Sequence, residues 1–243
     1  MRTFNYSEVN NLGLERQKQL EEKWYSIEML KAFRRNIQKV SPEKAQELGE
    51  KLLNIISSKN YINNENIAEP TQLIFAGADF EFRNVKNGDT SLIVCSKKNL
   101  YNTFSLLVKA GANTNAQNAF LSTAVMWSAR KGFNEILGDL ILLQANLNLH
   151  CADGDTALLS AVRHNQLKSA QLLVKAGVIL TAQNNLGEDA MLVAKANGYY
   201  EIAKLISDHL SEEQYNFNDC TFDVVNDELE IARQKLKSLW NKK

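Results

Sequence analysis

The sequence predicts an all-α solenoid, a stack of short helix pairs of nearly equal length. Two families of turn-like segments recur with a period of about 33 residues, and apolar residues on either side of these repeats follow helical spacing. Only 2 prolines and 11 glycines occur in 243 residues, too few for a β fold with many turns. Because a period of this length indicates stacked supersecondary units, the repeat decides the fold class.

Composition limits the class of protein. A hydrophobic share of 44% and a charged share of 23% can bury a core, which excludes a disordered chain. The 28 basic and 28 acidic residues cancel, so the whole molecule has no long-range attraction for nucleic acid or anionic membranes. Three cysteines, an odd number far apart, favour reduced thiols. Without an apolar leader or a long apolar run, we expect a soluble protein with no membrane span.

Both families of turns keep a nearly constant interval between successive members. The first family has its anchors at Gly77, Gly111, Gln144 and Gly177. The second, which includes NGDTSL and DGDTAL, has its anchors at Gly88, Leu121, Gly154 and Gly187, and its interval does not change. We expect the second unit to be irregular, because Leu121 and Gln144 stand there in place of glycine.

The third unit shows how one repeat is built. Thr156 is a candidate N-cap, whose hydroxyl can accept from an unpaired amide of the first turn. Helices are predicted over 157–164 and 167–176, and Gly177 ends the second helix because glycine enters the left-handed region without strain. The polar segment between units predicts an extended, β-like finger. Such a helix pair cannot bury its apolar face alone, so the units must stack.

The unit, with its elements DGDTALLSAV and LLVKAGA, resembles the ankyrin repeat. The resemblance covers about residues 84–214 as four units, preceded by a degenerate half-unit that ends at Gly77. It implies a module that recognises another protein and makes or breaks no bond. The corresponding division is a helical segment over 1–46, a degenerate capping repeat over 47–83, four repeats over 84–215 and a C-terminal helix over 216–243.

The flanks predict helices. Apolar residues from Leu20 to Val40 step by three and four, Ser41-Pro42-Glu43 is typical of a helix start, and a second stripe runs from Val225 to Leu239. These helices can cap the open ends of the stack. Alternatively, one of them binds a partner, with Trp24 or Trp240 as its anchor.

No group of residues predicts catalysis. The chain has no CxxC, HxxxH or HExxH spacing and no glycine-rich phosphate loop, and its three histidines are far apart in sequence. We therefore expect no enzyme activity, no metal and no cofactor.

Basic residues recur at the end of the first helix in three successive units, and the resemblance places them on a concave groove. An aromatic residue beside arginines is typical of an interface hot spot. The candidate partner-binding residues are Lys97, Lys98, Phe120, Trp127, Arg130, Lys131, Asp153, Arg163 and His164. Two alternatives stay open: the cations can be solvated helix ends that favour the helix dipole, and Trp127 can fill space in the second unit.

The expected partner is a protein with an acidic segment. The alternative is nucleic acid or another polyanion bound along the basic stripe, which the zero net charge disfavours. The 27 asparagines and the many lysines make the chain similar to ankyrin effectors of intracellular bacteria. That similarity implies a cytoplasmic protein, with delivery into a host cell as one expectation. It also places Asn115 and Asn148 where ankyrin fingers are hydroxylated.

Overall fold

The computed structural model describes residues 40–58, 61 and 67–219, with side chains as far as residue 210. This part of the chain forms ten α-helices, joined by turns. In order they are α1 Pro42–Ser57, α2 Ala68–Phe75, α3 Ser91–Lys98, α4 Tyr101–Ala110, α5 Ala124–Lys131, α6 Asn134–Leu142, α7 Ala157–Arg163, α8 Leu167–Lys175, α9 Ala190–Ala196 and α10 Tyr200–Asp219. The predicted all-α repeat solenoid is confirmed.

Side-chain caps set the start of the first helix in each repeat. In the third repeat the Thr156 hydroxyl accepts a hydrogen bond from the Leu159 amide at 3.3 Å, as the sequence predicts. A bond of this kind recurs once in every repeat, where the amide three residues later donates to the cap side chain of Thr90, Thr123, Thr156 or Asp189. The helices predicted over 157–164 and 167–176 end within one residue of the observed α7 and α8.

The second repeat is regular, contrary to expectation. Leu121 and Gln144 both adopt φ +56°, the left-handed conformation that glycine has at the equivalent turns. For a residue with a Cβ this conformation costs roughly 1–2 kcal/mol. The helices α5 and α6 nonetheless have the lengths and caps of their neighbours. The departure is therefore stored as local strain at two residues and does not change the shape of the repeat.

The helices form two layers. The first helices of the repeats, α3, α5, α7 and α9, pack side by side, and the second helices, α4, α6, α8 and α10, lie behind them. Alanines such as Ala129 and Ala161, both fully buried, allow close approach in the first layer. One continuous apolar core, with Phe104, Leu137 and Leu158 fully buried, runs between the layers.

The pair α1 and α2 extends the stack at its N-terminal end, where α1 packs on α3 and α2 packs on α4. The Ser41 side chain caps α1 and Pro42 is its first residue, as predicted. The predicted boundary between residues 46 and 47 falls inside α1, and that between 215 and 216 falls inside α10. The two predicted apolar stripes, including Trp24 and Trp240, lie largely or wholly outside the described residues.

The fingers between repeats are turns closed by backbone hydrogen bonds. They contain no β-strand within the ranges given above. Neighbouring fingers are joined one to the next: the Ala119 amide donates to Asn87 O at 3.0 Å, and the Ala152 amide donates to Phe120 O at 2.9 Å. These bonds fix the finger tips in one row along the stack. No helix in the described ranges is long and apolar enough to cross a membrane.

Candidate partner-binding groove

An open groove of about 720 Å³ lies between the helices α5 and α7 and the finger tips of repeats two to four. Six of the nine predicted site residues line it: Phe120, Trp127, Arg130, Asp153, Arg163 and His164. Lys97 borders it through its contact with Trp127, while Lys98 and Lys131 are not among the lining residues. Most of the predicted residues therefore lie at one groove, although their contacts there differ from one residue to the next.

Trp127 is positioned by α5, one turn after the Thr123 cap. Its ring is half-buried and contacts two cations, with Lys97 Nζ 4.3 Å and Arg130 Cζ 5.1 Å from the ring centroid. Both distances are in the range of cation–π attraction. The indole Nε1 is buried and has no hydrogen-bond acceptor among the described residues. Packing and these cations therefore hold the ring.

The first basic position, Lys97, is neutralised inside the protein. Its Nζ lies 2.5 Å from Asp89 Oδ2, and the Asp89 side chain is only 4% exposed. Asn118 of the next finger donates from Nδ2 to Asp89 Oδ1 at 2.8 Å. Because a buried carboxylate needs a partner, Lys97 is held by Asp89, and its positive charge is compensated within the repeat.

The third basic position repeats this arrangement. Arg163 Nε donates to Asp155 Oδ2 at 2.8 Å, and its Nη2 donates to Glu188 Oε2 at 2.6 Å. Asn184 donates to Asp155 Oδ1 at 3.0 Å, as Asn118 does to Asp89. Hydrogen bonds from Asn184 and Arg163 hold the pKa of Glu188 below its ordinary value. Arg163 is thus also compensated within the molecule.

Arg130 differs from both. Ser122 takes the place of the carboxylate in its repeat, and no carboxylate of the described residues lies within ion-pair distance of its exposed guanidinium. Arg130 Nε donates to His164 Nε2 at 2.9 Å, while His164 Nδ1 lies 3.0 Å from Ser160 O. Because the arginine can only donate, His164 Nε2 is the acceptor of this hydrogen bond. His164 therefore orients the guanidinium of Arg130.

Lys98 has a structural contact away from the groove. Its Nζ donates to Ile56 O at 2.8 Å and to Ser58 O at 2.6 Å, at the C-terminal end of α1. Burial lowers the pKa of the Lys98 ammonium. Lys131 is exposed at the end of α5. Within the groove, the predicted basic stripe thus reduces to Arg130, the one lining cation without an ion-pair partner among the residues that the structure describes.

Two apolar side chains project from the finger tips. Phe120 is 59% exposed and Leu186 is 79% exposed, and the exposed carboxylate of Asp153 occupies the equivalent position on the finger between them. Exposed large apolar groups beside a groove indicate a contact surface. Among the described residues, no cluster of histidine, cysteine and acidic side chains could hold a metal ion.

Sequence comparison agrees with this architecture. A profile of ankyrin repeats, three copies, matches residues 125–219, and a single ankyrin repeat matches residues 87–119. The chain belongs to the ankyrin-repeat family. Ankyrin repeats are generally protein–protein interaction modules and are typically non-catalytic.

Several curated relatives share these repeats. The ankyrin repeat and KH domain-containing protein mask-1 of Caenorhabditis elegans is 32% identical over 139 residues, 56% of this chain and 5% of that protein. The ankyrin repeat protein FPV031 of fowlpox virus is 27% identical over 172 residues, 68% of this chain and 49% of that protein. An alpha-latrotoxin of Latrodectus geometricus is 36% identical over 74 residues, 30% of this chain and 5% of the toxin. The chain thus spans at most about half the length of these relatives.

The set of partner-binding residues predicted from the sequence lacks some of the residues that line this groove. Leu186 lies one repeat period after Asp153 and two periods after Phe120, so the period alone could have added it. Ser122 and Cys151 also line the groove. The sequence could have indicated both residues, because Ser122 stands where other repeats have an acidic residue and Cys151 stands where other repeats have asparagine.

Proposed function

We propose that this ankyrin-repeat chain binds a protein partner through the groove between its finger tips and the helices α5 and α7, without catalysing a reaction. The observation that carries the proposal is the combination of Trp127 and Arg130 in the groove with exposed apolar groups at its rim. Tryptophan and arginine are enriched among the residues that dominate binding energy at interfaces.

The groove is suited to tight binding because its walls are fixed before a partner arrives. The helices behind it rest on a fully buried core, and the fingers are joined by backbone hydrogen bonds. A preformed surface loses little conformational entropy on association, so a few desolvated contacts suffice for affinity. Phe120 and Trp127 supply the apolar anchors, and Arg130 favours an acidic segment of the partner.

Binding of nucleic acid or another polyanion has less support. A polyanion needs a series of free cations at the spacing of its charges. Lys97 and Arg163 are engaged in internal ion pairs, and Asp153 adds a negative charge to the groove. The cytoplasmic location, delivery into a host cell and hydroxylation of Asn115 or Asn148 stay predictions.

Two charge reversals on one helix test the proposal. Arg130→Glu changes the groove, whereas Lys131→Glu makes the same charge change one residue further on, outside the lining. Partners of the full chain are captured from the cells that produce it, using a photocrosslinker at position 186. We expect the same crosslinked protein with the wild type and with Lys131→Glu, and loss of that protein with Arg130→Glu.

Circular dichroism and melting curves must show that both variants are folded. Equal crosslinking by Arg130→Glu and the wild type would reject the groove as the binding site. Retention of the wild type on a heparin column at physiological salt, lost with Arg130→Glu, would favour the polyanion alternative.

A further inference from the structure

The three basic positions at the groove, Lys97, Arg130 and Arg163, differ in whether an aspartate of the same repeat pairs with them. Lys97 and Arg163 each contact an aspartate eight residues earlier, Asp89 and Asp155. In the repeat between them, the residue eight positions before Arg130 is Ser122. The carboxylate is therefore missing at one position in the series, while the cation that it would neutralise is retained.

The amide that accompanies the carboxylate is missing as well. Asn118 and Asn184 donate to Asp89 and Asp155 from the finger of the following repeat. The equivalent residue after Ser122 is Cys151, which has no amide. Both Ser122 and Cys151 line the groove, so the place of the absent carboxylate faces open space.

We propose that a carboxylate of the partner occupies this place, as an aspartate or glutamate side chain of an extended segment with a large apolar residue nearby. This inference rests on the proposed function and specifies the chemistry that the groove recognises. The incoming carboxylate completes, between two molecules, the ion pair that Asp89 and Asp155 make within their own repeats.

The geometry of Arg130 fits such a ligand. Its Nε donates to His164 Nε2 at 2.9 Å, which orients the guanidinium. Its two terminal nitrogens have no hydrogen-bond partner in the part of the chain that the structure describes, and they can bind a ligand. Paired terminal nitrogens match the two oxygens of a carboxylate, and charge-assisted bonds of this kind are strong. The exposed Phe120 and Leu186 provide the contacts for the neighbouring apolar residue.

The surrounding charges favour a single carboxylate over a phosphate chain. Asp153 is exposed in the same groove and has no ion-pair partner among the described residues. A chain of phosphates that reached Arg130 would bring further negative charges towards this carboxylate. A segment with one acidic residue followed by apolar residues does not meet this repulsion.

The test uses a displayed library of random twelve-residue peptides, selected separately on the full chain and on two variants. Ser122→Asp places the carboxylate in the protein, as in the first and third repeats, and Ser122→Asn is the uncharged control of similar size. Wild type and Ser122→Asn should enrich peptides with Asp or Glu at a fixed spacing from a large apolar residue. Ser122→Asp should enrich peptides that keep the apolar residue and lose the acidic one.

One enriched peptide is then titrated in its acidic form and with the acidic residue changed to its amide. We expect the wild type to prefer the acidic form by about tenfold, the size of a charge-assisted hydrogen bond, and Ser122→Asp to prefer it less than about threefold. Should Ser122→Asp fail to fold, Arg130→Gln provides the same comparison, because it removes the cation and introduces no charge.

The outcomes separate the inference from the proposed function. Enrichment of groove-binding peptides without an acidic residue, or an equal acidic preference in Ser122→Asp, would overturn the inference and leave the groove as a protein-binding site. If no enriched peptide depends on Phe120 or Leu186, both proposals fail. If a peptide of residues 220–231 of this chain binds more tightly than the enriched peptides, the carboxylate comes from the molecule itself. That result would overturn its origin in a partner.

Discussion

Replacing Gln144 by glycine should stabilise the protein, although the substitution removes a side chain and adds no contact. Gln144 ends the second helix of its repeat at φ +56°, where the equivalent Gly111 and Gly177 adopt φ +97° and +77°. Its side chain is exposed, so little buried surface is lost on truncation. The hydrogen bond of the turn is kept in the variant, because its donor is the backbone amide of residue 144 and its acceptor is Ile141 O.

The expected magnitude follows from two opposing terms. Relief of the left-handed strain of a residue with a Cβ is worth roughly 1–2 kcal/mol. Glycine loses more backbone freedom on folding, which costs about 0.5–1 kcal/mol. Gln144→Gly should therefore raise the free energy of unfolding by about 0.5–1 kcal/mol, a rise of about 1–4 °C in melting temperature for a chain of this size.

Urea titration followed by circular dichroism measures this difference, with Gly177→Gln as the reciprocal control. A Cβ at Gly177 meets no atom within 4 Å, so that substitution introduces backbone strain without a clash. It should lower the free energy of unfolding by the amount that Gln144→Gly raises it. A neutral or destabilising Gln144→Gly, with Gly177→Gln also neutral, would refute the assignment of strain to these turns.

Two further predictions concern the groove. Arg163→Gln should lower the free energy of unfolding by about 1 kcal/mol, because it removes part-buried ion pairs, whereas Arg130→Gln should change it by less than about 0.5 kcal/mol in the same urea titration; equal effects would contradict the difference in pairing. In a Cys220→Ser background, iodoacetamide should label the half-buried Cys151 in the native protein and reach Cys95 only after unfolding, since burial raises the pKa of the Cys95 thiol. Mass spectrometry of tryptic peptides measures both sites, and labelling of Cys95 at the rate of Cys151 would contradict the packing.

The sequence predicted the helices closely because their signals are local. The Thr156 cap and the turn at Gly177 act through bonds within one or two turns of their own helix. The constant period then carries each local decision to the same place in every repeat. The same reasoning failed for the second repeat, where Leu121 and Gln144 keep the left-handed turn although their own preferences oppose it, and their amides donate to Asn118 O and Ile141 O as part of that turn.

The sequence by itself determined the fold and the repeat register, because both follow from periodicity and short-range caps. Only the tertiary structure decided which residues line the groove and which cations are available there. Lys97 and Arg163 form ion pairs with aspartates of the fingers, and Lys98 donates to the carbonyls of Ile56 and Ser58 at the C-terminal end of α1, 42 and 40 residues away. Arg130 keeps its charge available because Ser122 offers it no carboxylate, and that difference depends on a contact in space that a list of basic residues does not contain.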